Sequence, residues 1–111
     1  MPGTITREAL KEKIDAREDF ALIDVLSSQS YQREHLPGAA NIPLHDITED
    51  AVAGIPSDKE IVVYCSSFEC MASPMAAKKL EEMGFSNVTD YEGGIADWKE
   101  AGYPVEHPSR A

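Results

Sequence analysis

Residues 60–65, Glu60-Ile61-Val62-Val63-Tyr64-Cys65, and the segment that follows, Ser66-Ser67-Phe68-Glu69-Cys70-Met71-Ala72-Ser73-Pro74, decide how this chain folds. The first run is apolar and β-branched at consecutive positions. A strand of that kind is buried on both faces, as in a parallel sheet. The second run reads as a loop leading into a helix, with Ser73 at the cap and Pro74 at the first helical position. The helix continues through Leu80 and Met83, and Gly84 closes it as the C′ residue.

Working outward, helical and strand-like segments alternate. Thr6 is a helix cap, and Ala9, Leu10 and Ile14 follow on one face. Ala21 to Val25 is a short apolar strand. Ser27 to His35 reads as a short helix, broken by Leu36-Pro37-Gly38. Ala39 to Ile42 reads as another strand, and Ile47 to Ala53 as a weak helix ended by Gly54 and Pro56. Val88 and Tyr91 mark a last strand. Gly93-Gly94 then turns the chain into a final helix around Trp98, which Gly102 ends. Strands separated by helices predict an α/β fold with helices on both faces of a parallel sheet. The 111 residues make one domain, 1–111, with an ordered core of about 4–107 and a frayed tail from Pro108 to Ala111.

Ten basic residues stand against 20 acidic ones, a formal net charge of −10. That surface repels nucleic-acid phosphates and anionic lipid headgroups, so neither is an expected partner. The segment Met1 to Glu8 lacks the basic start and apolar run of a signal peptide, and no stretch has transmembrane length. The expected location is cytoplasmic. The two cysteines, Cys65 and Cys70, lie five positions apart, too close to staple a fold. With no histidine nearby they form an incomplete metal set, and no metal site is expected.

Cys65 sits where the buried strand ends and the loop begins. Ligand sites of α/β sheets lie at the carboxyl ends of strands. Loop amides and the positive end of the following helix both favour thiolate over thiol there. The competing reading is a buried cysteine that only packs.

Three segments carry a family resemblance. The first is Ile23-Asp24-Val25 with Tyr31 and His35-Leu36-Pro37-Gly38-Ala39-Ala40-Asn41-Ile42-Pro43-Leu44. The second is Ile61 to Cys65 followed by Ser73 and its helix. The third runs from Tyr91-Glu92-Gly93-Gly94 through Trp98 to Val105. Together they resemble the rhodanese (sulfurtransferase) domain. The resemblance implies a three-layer α/β/α fold around a five-stranded parallel sheet. It also implies that Cys65 accepts sulfane sulfur from a donor, becomes a persulfide and passes the sulfur to a thiol or protein acceptor, without a cofactor.

The loop departs from the family pattern. Cys65, Ser66, Ser67, Phe68, Glu69, Cys70, Met71 and Ala72 before Ser73 make it about two residues longer than usual, with no arginine, lysine or glycine. A loop arginine would clamp an anionic donor such as thiosulfate. Leu26 stands where another arginine often follows the Asp-Val pair, and Arg33 is a spatial candidate to replace it. Position 71 is methionine, which argues against a phosphatase of this fold built on Cys-x5-Arg. Glu69 reads as a solvated loop tip, and Phe68 as a pocket wall or a docking point. Asp24 is expected to hydrogen-bond backbone amides, His35 to support its turn, and Trp98 to anchor the core. Two alternatives stay open: an interaction module that does no chemistry, and a redox switch in which Cys70 attacks an oxidised or persulfidated Cys65. The oligomeric state is not legible.

Overall fold

The computed structural model describes residues 2–107. Its strands are β1 (Gly3–Thr4), β2 (Ala21–Asp24), β3 (Ala40–Asn41), β4 (Ile61–Tyr64) and β5 (Val88–Tyr91). Its helices are α1 (Arg7–Asp15), α2 (Ser28–Arg33), α3 (Ala72–Glu82) and α4 (Gly94–Glu100). All strand pairs are parallel, in the order β1-β5-β4-β2-β3. The run at residues 61–64 is therefore the middle strand, and all four of its residues are buried. The frayed-tail expectation for Pro108 to Ala111 falls outside the described residues.

The pleat of β4 divides the core. Ile61, Val63 and Cys65 face α3, where Ala76, Ala77 and Leu80 meet Ile47 and Val52. Val62 and Tyr64 face the opposite layer, packed with Leu10 of α1, Leu36, Tyr91 and Trp98 of α4. Helices thus cover both faces, as the three-layer expectation requires. Trp98 is fully buried, and its indole N–H donates to the Pro104 carbonyl at 2.7 Å. Among the described residues no helix is long and apolar enough to cross a membrane.

Local signals hold in α1 and at the C-terminus of α3. The Thr6 hydroxyl accepts from the Ala9 amide at 3.1 Å. The Phe85 amide bonds the Leu80 carbonyl and the Gly84 amide bonds that of Glu81, with Gly84 at φ +103°. That pair of bonds is the motif in which a left-handed glycine satisfies the last helical carbonyls.

Four expectations need correction. The α3 helix starts at Ala72, so Ala72 belongs to the helix and not to the loop. Its cap is Met71, with no side-chain cap bond. Ser73 lies inside the first turn because its hydroxyl is turned toward Cys65, and Pro74 fits there because the first helical N–H groups lack intrahelical partners anyway. The Ile47 to Ala53 segment is not a helix. A 3-10 turn spans Leu44–Asp46, and the Thr48 side chain then caps one further turn through the Ala51 amide. Tertiary packing buries Ile47 and Val52 without helical continuity. Finally, α2 stops at Arg33, because Glu34 is extended and His35 exchanges two backbone bonds with Glu106, at 2.9 and 2.8 Å.

Candidate active site

The register aligns Asp24, Tyr64 and Tyr91 at the carboxyl edge of β2, β4 and β5. Cys65 is the next residue after β4 and emerges at that edge, fully buried. Its backbone is held from α4: the Ile95 amide donates to the Cys65 carbonyl at 3.1 Å, and the Ala96 amide to the Ser66 carbonyl at 2.9 Å. This close approach explains Gly94, whose φ is +65°. A Cβ there would lie 2.4 Å from the Cys65 carbonyl oxygen.

The loop returns over the cysteine through a turn in which the Cys70 amide donates to the Ser67 carbonyl at 3.1 Å. The turn brings the second sulfur onto the first. Cys65 Sγ lies 3.3 Å from Ser73 Oγ and 3.6 Å from the Cys70 carbonyl, so that each thiol influences the ionisation of the other. Both cysteines are free. Burial pushes the Cys65 thiol up, and the bond to Cys70 adds to the push, against the Ser73 hydroxyl and amide. Burial also opposes ionisation of Cys70. There, however, hydrogen bonds from the Cys65 thiol, the Ser66 and Ala72 amides and the Ser66 hydroxyl win, and its pKa falls. The amide cradle expected around Cys65 therefore closes mainly on Cys70. The two thiols titrate as a pair, with the Cys65 pKa pushed up and the Cys70 pKa drawn down.

The supporting residues act at a distance from the sulfur. The Asp24 carboxylate accepts from the Leu26 amide at 2.8 Å and from the Tyr64 hydroxyl at 3.0 Å. Tyr64 in turn accepts from the Leu36 amide at 3.0 Å. Burial raises the Asp24 pKa against these bonds. Asp24 thus ties the β2 and β4 ends to the 36–39 turn. His35 stacks on Tyr31 at 3.9 Å and donates from Nδ1 to the Tyr31 carbonyl at 2.9 Å.

Cavities flank the loop. One of about 680 Å³ includes Leu26, Arg33, Glu34, Ser66, Ile95 and Lys99. Arg33 does reach the loop's side of the molecule, while Lys99 is paired with Glu34 at 2.7 Å. Another, of about 240 Å³, is walled by Phe68, Cys70, Met71, Ser73, Asp90 and Glu92. Phe68 and Met71 are 68% and 64% exposed, so the loop tip is an apolar rim. Glu69 is exposed, as a solvated tip requires. Asp90 escaped the sequence reading. Its signal was a carboxylate on β5 at the same facing as Val88, which packs against α3.

Comparison with known proteins follows this geometry. The family model "Rhodanese-like domain" matches residues 6–101. A protein named sulfurtransferase from Allochromatium vinosum is 29% identical over 97% of this chain and 98% of its own. The thiosulfate sulfurtransferase GlpE of Pseudomonas savastanoi is 36% identical over 89% of this chain and 85% of its own. Against two other curated relatives, 35% and 33% identical, the chain spans about half of the relative, 44% and 49% of its length. The crystal structure of the BH2092 protein from Bacillus halodurans superposes with a TM-score of 0.90, at 29% identity over 95% of this chain and 77% of that one. With residues 6–101 matched, the chain belongs to the rhodanese-like domain family.

Proposed function

We propose that this domain carries sulfane sulfur as a persulfide on Cys65. The sulfurtransferase names of its relatives support the general role. The observation that supports the specific one is Cys65 at the carboxyl end of the central strand, in contact with both Ser73 and Cys70. A donor persulfide presents its outer sulfur to Cys65. A new S–S bond forms to Cys65, the donor's own S–S bond breaks, and the donor leaves as a thiolate. Cys70, whose pKa is drawn down, is when ionised a local acceptor for the Cys65 proton. An acceptor nucleophile then takes the outer sulfur, which is ping-pong covalent catalysis.

The donor we favour is a persulfide on a small thiol or a partner protein. Residues 65–72 offer no cation to clamp thiosulfate, and the rim is apolar with an exposed Glu69. We place this chemistry in a reducing compartment such as the cytoplasm, where both thiols stay free. Initial rates measured with glutathione persulfide and cyanide are expected to give parallel double-reciprocal lines. Rates with thiosulfate are expected at least tenfold lower at equal concentration. If no donor supports transfer, the interaction-module reading replaces this one.

The turn that sets Cys70 against Cys65 favours one second reading, redox control. Attack by Cys70 on the inner sulfur of a Cys65 persulfide would release hydrosulfide and leave a Cys65–Cys70 disulfide. Donor-loaded protein, left without acceptor, is expected to release sulfide and lose both free thiols, and a dithiol should restore them. Persistence of two titratable sulfurs over hours rules this reading out.

A further inference from the structure

Asp90 is a buried carboxyl that the mechanism above does not use. It is 4% exposed, on the β5 face that looks toward α3, and its Oδ1 finds no hydrogen-bond partner among the described residues. Buried carboxylate oxygens are almost always satisfied, because leaving one unpaired costs stability. Ser73 and this carboxyl line the same cavity of about 240 Å³. The Ser73 hydroxyl lies 3.3 Å from Cys65 Sγ. The three residues come from β5, α3 and the end of β4, so the fold and not the local sequence brings them together.

A hydroxyl both donates and accepts. Ser73 can take a proton from Cys65 only by passing its own onward, and Asp90, which lines the same cavity as Ser73, is the carboxyl that would receive it. We infer that Asp90, acting through Ser73, is a positioning residue that stores the Cys65 proton during sulfur loading and returns it during discharge. This rests on the persulfide reading and adds to it an inner proton acceptor, opposite Cys70 on the loop side.

The two steps balance. In loading, the Cys65 proton moves to Ser73 Oγ and the Ser73 proton to Asp90. The Cys65–sulfur bond forms, the donor S–S bond breaks, and the donor leaves as a thiolate. In discharge, an acceptor thiolate takes the outer sulfur. The Cys65 S–S bond breaks, and Cys65 recovers its proton by the reverse path. No electron is gained or lost overall, and the net reaction exchanges the sulfur between two thiolates. Burial, reinforced by the nearby Glu92 carboxylate, pushes the Asp90 pKa up from the ordinary carboxylate value, the direction that favours proton uptake. The titratable groups around Asp90 are Glu92 on its own side, Cys70 from the loop, and Lys78, Glu81 and Glu82 from α3. Its strand neighbours Thr4 of β1 and Val63 of β4 are uncharged.

Two readouts on Asp90→Asn separate this role from a structural one. The first is iodoacetamide alkylation of Cys65 at pH 7–8 in a Cys70→Ala background. Loss of a nearby carboxylate makes the Cys65 thiolate easier to form, so the rate should rise at least threefold. The second is sulfur turnover from glutathione persulfide with Cys70 intact, which should fall at least tenfold because Cys70 is then left as the sole acceptor of the Cys65 proton. Opposite signs support the relay. Movement of both readouts downward marks a structural carboxylate and overturns it, as does an unchanged turnover. Ser73→Ala guards against misfolding: it should lose turnover similarly, and the Ser73→Ala, Asp90→Asn double variant should lose no more than either single. Additive losses contradict the relay. If the unaltered protein fails to load sulfur at all, the persulfide reading falls and the relay with it. If it loads and Asp90→Asn turns over normally, only the relay falls.

Discussion

A Cys65→Ser protein is expected to lose sulfur turnover by about 10³-fold or more while keeping its fold. An alcohol at this position is neither ionised nor nucleophilic near neutral pH, whereas the thiolate is both the nucleophile and the sulfur-bearing group. The fold should tolerate the change because Cys65 is one of many buried contacts on the α3 face, and the serine hydroxyl can still reach Ser73. The expected stability loss is about 1–2 kcal/mol, from placing a more polar group in an apolar site. Cys70→Ser is the informative contrast. Cys70 has the lowered pKa of the pair and lines the 240 Å³ cavity, yet it is assigned a proton-accepting role and not the sulfur-carrying one. Its replacement should slow turnover by roughly tenfold, in the range of a lost general base at the low end. If Cys70→Ser abolishes turnover and Cys65→Ser does not, the roles of the two sulfurs are reversed.

The second large effect is expected at Gly94, which touches no substrate. An added Cβ would meet backbone: 2.4 Å from the Cys65 carbonyl oxygen and 2.8 Å from both Ser66 C and Ser67 N. Backbone cannot rotate away as a side-chain tip can. The residue also holds φ +65°, a region where a side chain adds about 1–3 kcal/mol of strain. Gly94→Ala must push α4 off the loop and break the Ile95 and Ala96 amide bonds to Cys65 and Ser66. Each such bond contributes about 0.5–1.5 kcal/mol net. Together these reach about 3 kcal/mol or more, and a thermal midpoint roughly 10–20 °C lower is expected. Protein that still folds should load sulfur slowly, because the Cys65 carbonyl no longer has its anchor. A midpoint within a few degrees of the parent would show that the loop and α4 are less tightly coupled than the 2.4 Å approach implies.

The parts of this site that could be read from sequence are those set by local pattern. The apolar run at Ile61 to Tyr64 could only be a strand buried on both sides, and it is the middle one. Gly84 and Thr6 acted as the turn and cap chemistry dictates. Strand β1 was not legible, because Gly3 and Thr4 are polar or small, and only pairing with Thr89 and Asp90 makes them a strand. Ser73 was identified as important but given a local task, capping its own helix. The longer-range partner, Cys65, took the hydroxyl instead. The opposite pKa directions of the two sulfurs were also hidden. They depend on which sulfur the Ser66 and Ala72 amides face, and spacing alone does not decide that. Asp90 was missed because its meaning lies entirely in what stands across from it.

The most direct test of the central claim is peptide-resolved mass spectrometry of the protein after incubation with glutathione persulfide and alkylation of its sulfurs. The expected result is the mass of one additional sulfur atom on Cys65, lost on cyanide treatment, with Cys70 alkylated as a simple thiol. A protein that takes up no sulfur from this donor, or takes it up on Cys70 alone, contradicts the account.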